Sequence, residues 1–133
     1  MGEEVKIDNS DFEVLFYEGI VQKKGDFLEA LAALGNLYTR KGMYQKGLVV
    51  DQKLSQLRPD DPVILYNLAC SYSLLGERDL ALRTIKKAIN CGYDDFGHLE
   101  RDQDLVNLRQ DNRFMRYFQR IKNKKFSDGE PPV

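Results

Sequence analysis

The chain repeats itself at a fixed distance. Leu34, Tyr38, Gly42 and Leu48 recur as Leu68, Tyr72, Gly76 and Leu82, each 34 residues on. In the same frame Gly35 pairs with Ala69, and Gly47 with Ala81. One period shared by apolar, aromatic and turn residues means that one structural unit is used twice. Such units must stack, because a unit this small cannot bury its apolar face alone.

Each unit reads as two helices. In the second, "RPDDP" at 58–62 is a start signal, with Asp61 as N-cap and Pro62 at the first helical position. Leu65, Leu68, Ala69, Tyr72 and Leu75 follow at helical spacing, and Gly76 ends the helix. Asp79 is expected to cap the next helix, whose stripe is Ala81, Leu82, Ile85, Ala88 and Ile89, and Gly92 to close it in a left-handed turn. The first unit gives Leu31, Leu34, Gly35 and Tyr38, then Gly42, then Leu48, Leu54 and Leu57 before Pro59. The pairs Gly35–Gly47 and Ala69–Ala81 let the two helices of a unit approach closely. Helix phase puts Asp51 where Ile85 stands in the second unit, a place for a large apolar side chain. Two readings stay open: a slightly rotated helix that leaves this carboxylate at the rim, with Val50 taking over some packing, which is the favoured one, or a buried carboxylate satisfied by tyrosine hydroxyls or a nearby Lys or Arg.

Both units resemble the tetratricopeptide repeat, whose pattern is W-x2-L-G-x2-Y…A-x3-F…P. The first matches through Leu31, Leu34, Gly35, Tyr38, Gly47, Asp51 and Pro59. The second matches through Leu65, Leu68, Ala69, Tyr72, Ala81 and Ile85, with Tyr93 at the proline position. Leucine stands for tryptophan in both. The stretch "SDFEVLFYEGIVQKKG" (10–25) resembles a lone second helix, with Ser10 and Glu13 as a capping box and Phe12, Leu15, Phe16 and Ile20 as its apolar side. Residues 96–114 resemble a degenerate end segment of bacterial tetratricopeptide proteins. Phe96, Leu99, Leu105 and Leu108 are expected to seal the last hairpin, and a final helix, about 112–124, to lay Phe114, Phe118 and Ile121 against it. The implied fold is all-α, a right-handed superhelical stack of antiparallel helix hairpins in one domain. It comprises a half-repeat (10–26), two full repeats (27–60 and 61–94) and a degenerate repeat with capping helix (95–125). Residues 1–9 and 126–133 are expected to be disordered ends.

Function classes narrow by the same inspection. His98 is the single histidine, no Ser or Cys has a base at motif spacing, and no Gly-rich phosphate loop follows a strand, so neither an enzyme nor a cofactor is expected. Cys70 and Cys91 lie 21 residues apart, which is no zinc spacing, and read as free thiols of a reducing cytoplasm. "DDFGHLERDQD" (94–104) lacks the calcium-loop register, and Asp94, Asp95 and Asp102 read as helix caps. With net charge -1 there is no global basic excess, and no apolar run approaches the ~20 residues that span a bilayer. "MGEEVKIDNS" lacks the apolar stretch of a secretory signal, so the expected location is cytoplasmic.

The resemblance implies a non-catalytic adaptor that docks an extended segment or helix of another protein in a concave groove lined by the first helices. The candidate lining is Glu29, Asn36 and Arg40 from the first unit, Tyr66, Asn67, Cys70 and Ser73 from the second, and Arg101 beyond them. Asn and Tyr there can hydrogen-bond a peptide backbone without imposing charge. Capture of a chaperone's C-terminal carboxylate is not expected. Asn36 and Asn67 hold the asparagine sites of that clamp, and Arg101 is the candidate arginine, but Ala32 and Gly97 stand where its lysines belong. Two alternatives stay open. The incomplete edge at 10–25 could self-assemble into a homo-oligomer. The basic run Arg109, Arg113, Arg116, Arg120, Lys122, Lys124 and Lys125 could meet nucleic acid or an acidic partner, although its interleaved aromatics sit at core spacing.

Overall fold

The computed structural model describes residues 9–129. Its frame is set by the turns that end successive helices. Gly42 and Gly76 both have φ +77°, a conformation that only glycine adopts freely. At the first, the N–H of Met43 donates to the carbonyl of Tyr38 at 2.8 Å and that of Gly42 to Thr39 at 3.1 Å. At the second, Glu77 donates to Tyr72 at 2.9 Å and Gly76 to Ser73 at 3.0 Å. This is the same helix-ending motif built twice from residues 34 apart, and Tyr93 and Gly92 build it a third time on Ala88 and Ile89.

The elements run α1 (Asn9–Lys23), α2 (Leu28–Arg40), α3 (Tyr44–Leu57), α4 (Pro62–Leu74), α5 (Arg78–Asn90) and α6 (Phe96–Arg101). A 3-10 turn (Gln103–Leu105), α7 (Val106–Arg109) and α8 (Asn112–Gly129) follow. No strand occurs among the described residues. The chain is therefore all-α, and α2–α3 and α4–α5 are helical hairpins packed in sequence order. Asp61 caps α4 as its position predicts, accepting from the N–H groups of Val63 and Ile64, with Pro62 in the first turn. Asp79 does not cap α5. The helix already begins at Arg78, Glu77 is the capping position without a side-chain bond, and Asp79 sits in the first turn.

Close approach inside the hairpins needs the small residues. A Cβ on Gly35 would lie 3.3 Å from Val50 Cγ1 and 3.1 Å from Asp51 Oδ1, and one on Gly47 would lie 3.1 Å from Thr39 Oγ1. Ala69 and Ala81 are completely buried at the equivalent crossing. The core divides into two clusters. One joins Val14, Leu31, Leu34, Leu37, Tyr38, Val50 and Leu54. The other joins α4 and α5 to Leu99, Leu105, Leu108, Phe114 and Phe118. The end segment thus seals the second hairpin as expected, with Leu99, Leu105, Leu108 and Phe114 all at 0 % exposure.

Several expectations fail. Helix α1 turns its other face inward: Val14 is buried with Tyr17 and Val21 packed near it, while Phe12, Leu15 and Phe16 are exposed. Core contact here follows Val14, Tyr17 and Val21, a narrower stripe than the bulkier residues suggest, because α2 is the only hairpin helix that α1 meets extensively. Asn9 and Ser10 are both already helical, so Ser10 does not stand at the N-cap position that its pattern predicts, and its hydroxyl accepts from the Lys41 ammonium. Asp51 is not at the rim but 6 % exposed, within the α3 face that meets α2 and α4, while Val50 is buried as expected. At the C-terminus α8 continues to Gly129, so residues 126–129, expected as tail, are helical. The expected disorder at 1–8 and 130–133 concerns positions outside the described residues. Among the described residues no helix is long and apolar enough to cross a membrane.

Candidate functional site

A cavity of about 380 Å³ opens between the facing sides of α2 and α4, over α3 and beside the 3-10 turn. It is lined by Gly35, Asn36, Thr39 and Arg40 of α2, Asp51 of α3, Asn67, Cys70 and Ser71 of α4, and Asp104 of the 3-10 turn. Four of the predicted groove residues, Asn36, Arg40, Asn67 and Cys70, are brought together here. Asn36 and Arg40 are exposed, Asn67 is half-buried and Cys70 is buried.

The other four predicted residues are elsewhere. Glu29 and Arg101 are exposed and do not line the cavity. Tyr66 and Ser73 are buried because the end segment folds back over α4. Tyr66 stacks on Tyr93 with ring centres 4.2 Å apart, and its hydroxyl donates to Asp102 Oδ2 at 2.6 Å. Ser73 is at 0 % exposure; its hydroxyl accepts from the Leu108 N–H at 3.2 Å, and its carbonyl accepts from Asn107 at 2.8 Å. These two residues fasten the cap and do not face a groove.

At the base of the cavity lies a polar pair that replaces an apolar one. Asp51 occupies the position of Ile85, and Ser71 that of Leu37, in the repeat frame. The Ser71 hydroxyl donates to Asp51 Oδ2 at 2.5 Å, and both residues are buried. Burial pushes the Asp51 carboxyl up to about 6, although the Ser71 hydrogen bond pulls the other way. Burial likewise raises the Asp104 carboxyl, with the charge of Asp102 adding to it. Cys70 is the point on which these acids converge. Its thiol is pushed well up by burial first, then by the charges of Asp102 and Asp104, with Asp51 contributing too.

In the sequence Asp102 reads only as a cap. It does cap the 3-10 turn, with Oδ1 accepting from the Asp104 N–H at 3.0 Å. Its Oδ2 also takes the Tyr66 hydroxyl and lies 3.1 Å from His98 Nε2 and 3.8 Å from Cys70 Sγ. Donor atoms of Cys70, Asp102 and Asp104 lie within 4.8 Å of one another. A metal there would have to displace Tyr66 and His98 from Asp102 and a proton from a thiol held protonated by its surroundings. What the arrangement does without such cost is concentrate negative potential on one side of the cavity. The repeat frame singles out Asp51 as a conflict but does not reveal Ser71, Asp102 and Asp104 as its neighbours. The one available signal is that Ser71 breaks the repeat at the Leu37 position.

The basic C-terminal helix is partly neutralised within the chain. Arg113 pairs with Asp79 and Asp111, each at 2.7 Å, and Lys122 pairs with Glu100. Phe114 and Phe118 stack on each other inside the core.

The sequence matches no protein-family model. It is similar to a chloroplastic protein of Arabidopsis thaliana, with 29% identity over 96 residues. That match covers 70% of this chain and 27% of the relative. The chain thus spans about a quarter of the length of the curated protein that it matches.

Proposed function

We propose that this chain is a tetratricopeptide-type adaptor, a right-handed stack of hairpins that docks a segment of another protein on the face carrying Asn36, Arg40, Asn67 and Cys70. The observation that carries this reading is the cavity between α2 and α4, where four of the eight expected lining residues meet. Support for the repeat type comes from the duplicated helix-ending turns and the small-residue crossings. The role is non-catalytic: the Cys70 thiol in the cavity lies against the Asp102 carboxylate, and burial with the surrounding negative charge keeps it protonated and does not activate it. A reducing interior compartment such as the cytoplasm suits two free thiols, one of them buried. Affinity capture with the intact chain and with an Asn36→Ala/Asn67→Ala variant tests the docking face. Identical partner sets would remove the groove assignment.

A second reading has its own observation. Phe12, Leu15 and Phe16 are 61–67 % exposed on one side of α1, where Gly19 offers open space. A second copy's α1 laid on this face would cover these side chains, an arrangement that suits a homodimer. Sedimentation at rising concentration decides it, and a strict monomer sinks it.

A further inference from the structure

We infer that the cavity between α2 and α4 receives the cationic end of a lysine or arginine side chain from the docked segment, with Asp51 and Asp104 as its carboxylate partners. The inference rests on the adaptor reading above and names the side chain that the groove selects.

Three features of the cavity carry it. The first is Asp51 itself. It is 6 % exposed, Ser71 satisfies Oδ2, and Oδ1 lies beside Gly35 in the cavity lining. That oxygen is reached from the cavity because position 35 is glycine: a Cβ there would sit 3.1 Å from Oδ1. Among the described residues no sealed side-chain oxygen is left without a partner, so Oδ1 is open to the cavity, and a cation arriving there exchanges solvent for a charge-assisted bond.

The second feature is the charge around it. Asp51, Asp102 and Asp104 all raise the Cys70 thiol, and His98 acts on Asp104 with the opposite sign. Asp102 is already engaged by Tyr66 and His98, which leaves Asp51 and Asp104 to meet a guest. Arg40 is the single basic residue lining the cavity, and it is exposed at the mouth. A carboxylate would be repelled from the base of this cavity, whereas an ammonium or guanidinium gains two charge-assisted bonds in a partly desolvated place.

The third feature is the entrance. Asn36 and Asn67 flank it on α2 and α4 and offer amide donors and acceptors to a peptide backbone. The Thr39 hydroxyl donates to its own helix, to the Gly35 carbonyl at 3.0 Å, so its oxygen remains available as an acceptor within the cavity. The volume of about 380 Å³ admits one long side chain without rearrangement.

The test uses a random-peptide display library selected on the full chain, with binding of the selected peptides measured by fluorescence anisotropy. Selected peptides are expected to share a Lys or Arg at one fixed position. Replacing that residue by norleucine should weaken binding to the wild type by about tenfold or more, and far less to an Asp51→Asn/Asp104→Asn variant, as expected for a directly coupled charge pair. Asp51→Asn keeps an acceptor for Ser71, and circular dichroism confirms its fold; Asp104→Asn alone repeats the test at a half-buried position. Peptides that depend on Asn36 and Asn67 but carry no fixed basic residue would overturn this inference and leave the adaptor reading standing. Peptides that bind equally to the Asn36→Ala/Asn67→Ala variant, or a selection that yields none, would overturn both.

Discussion

Replacing Asp51 by asparagine should stabilise this protein, by an amount that depends on pH. The carboxyl stands at about 6 in the folded chain against an ordinary 3.8, with burial as the main cause. At roughly 1.4 kcal/mol per pKa unit, ionised Asp51 costs the folded state about 3 kcal/mol at neutral pH. The side chain is 6 % exposed, so solvent screening does not erode this figure. The sign follows from proton counting. Between pH ~4 and ~6 the folded chain keeps a proton that the unfolded chain has released, so the contribution of Asp51 to stability falls as pH rises through that window. Below it both states are protonated and nothing is lost; above it the full cost is present. Asparagine has the same shape, still accepts from Ser71, and does not titrate. Urea unfolding followed by circular dichroism at steps from pH 4 to pH 7, for wild type and Asp51→Asn, isolates this group, because other carboxylates cancel in the difference. The variant's advantage should be smallest at pH 4 and grow by about 2.4 kcal/mol by pH 7. A difference that stays flat across this range would refute a buried, raised Asp51. The same variant is expected to lose affinity for basic peptides, so gained stability and lost binding would arise at one atom.

Two further outcomes test the frame. Gly76→Ala should cost about 1 kcal/mol in thermal unfolding, and Gly76→Asn less, because φ is +77° there while an added Cβ meets nothing within 4 Å; an unchanged Tm for the alanine variant would mean that the turn relaxes freely. Phe114→Ala removes a completely buried ring at the junction of α8 with the second hairpin, and should lower unfolding free energy by roughly 3–5 kcal/mol; a loss under about 1 kcal/mol would show that the end segment is not part of the cooperative core.

Where the sequence is sufficient, the determinants are local. Helix ends at Gly42, Gly76 and Gly92, the start at Asp61–Pro62 and the crossings at Gly35 and Ala69 depend on backbone conformation and on side-chain size at short range. The 34-residue period carries those determinants from one hairpin to the next. It also makes Leu99, Leu105, Leu108, Phe114 and Phe118 readable as a seal, because the apolar stripe of the last hairpin needs one.

The failures of burial share one cause: which face of a helix is covered depends on what returns to it in space. Tyr66 and Ser73 look like groove residues until the 3-10 turn and α7 fold back over α4 and bury them. Phe12, Leu15 and Phe16 look like a core stripe, yet α1 meets α2 through Val14, Tyr17 and Val21. Asp51 looks out of place in its repeat; the packing of α3 on α4 supplies Ser71 as its donor, and that of α3 on α2 leaves Gly35 as the opening beside it. The sequence alone determined the hairpins and their spacing, because turns and caps act over a few residues. Tertiary structure decided which polar groups are sealed and which line the cavity, because desolvation is set by neighbours that are distant along the chain.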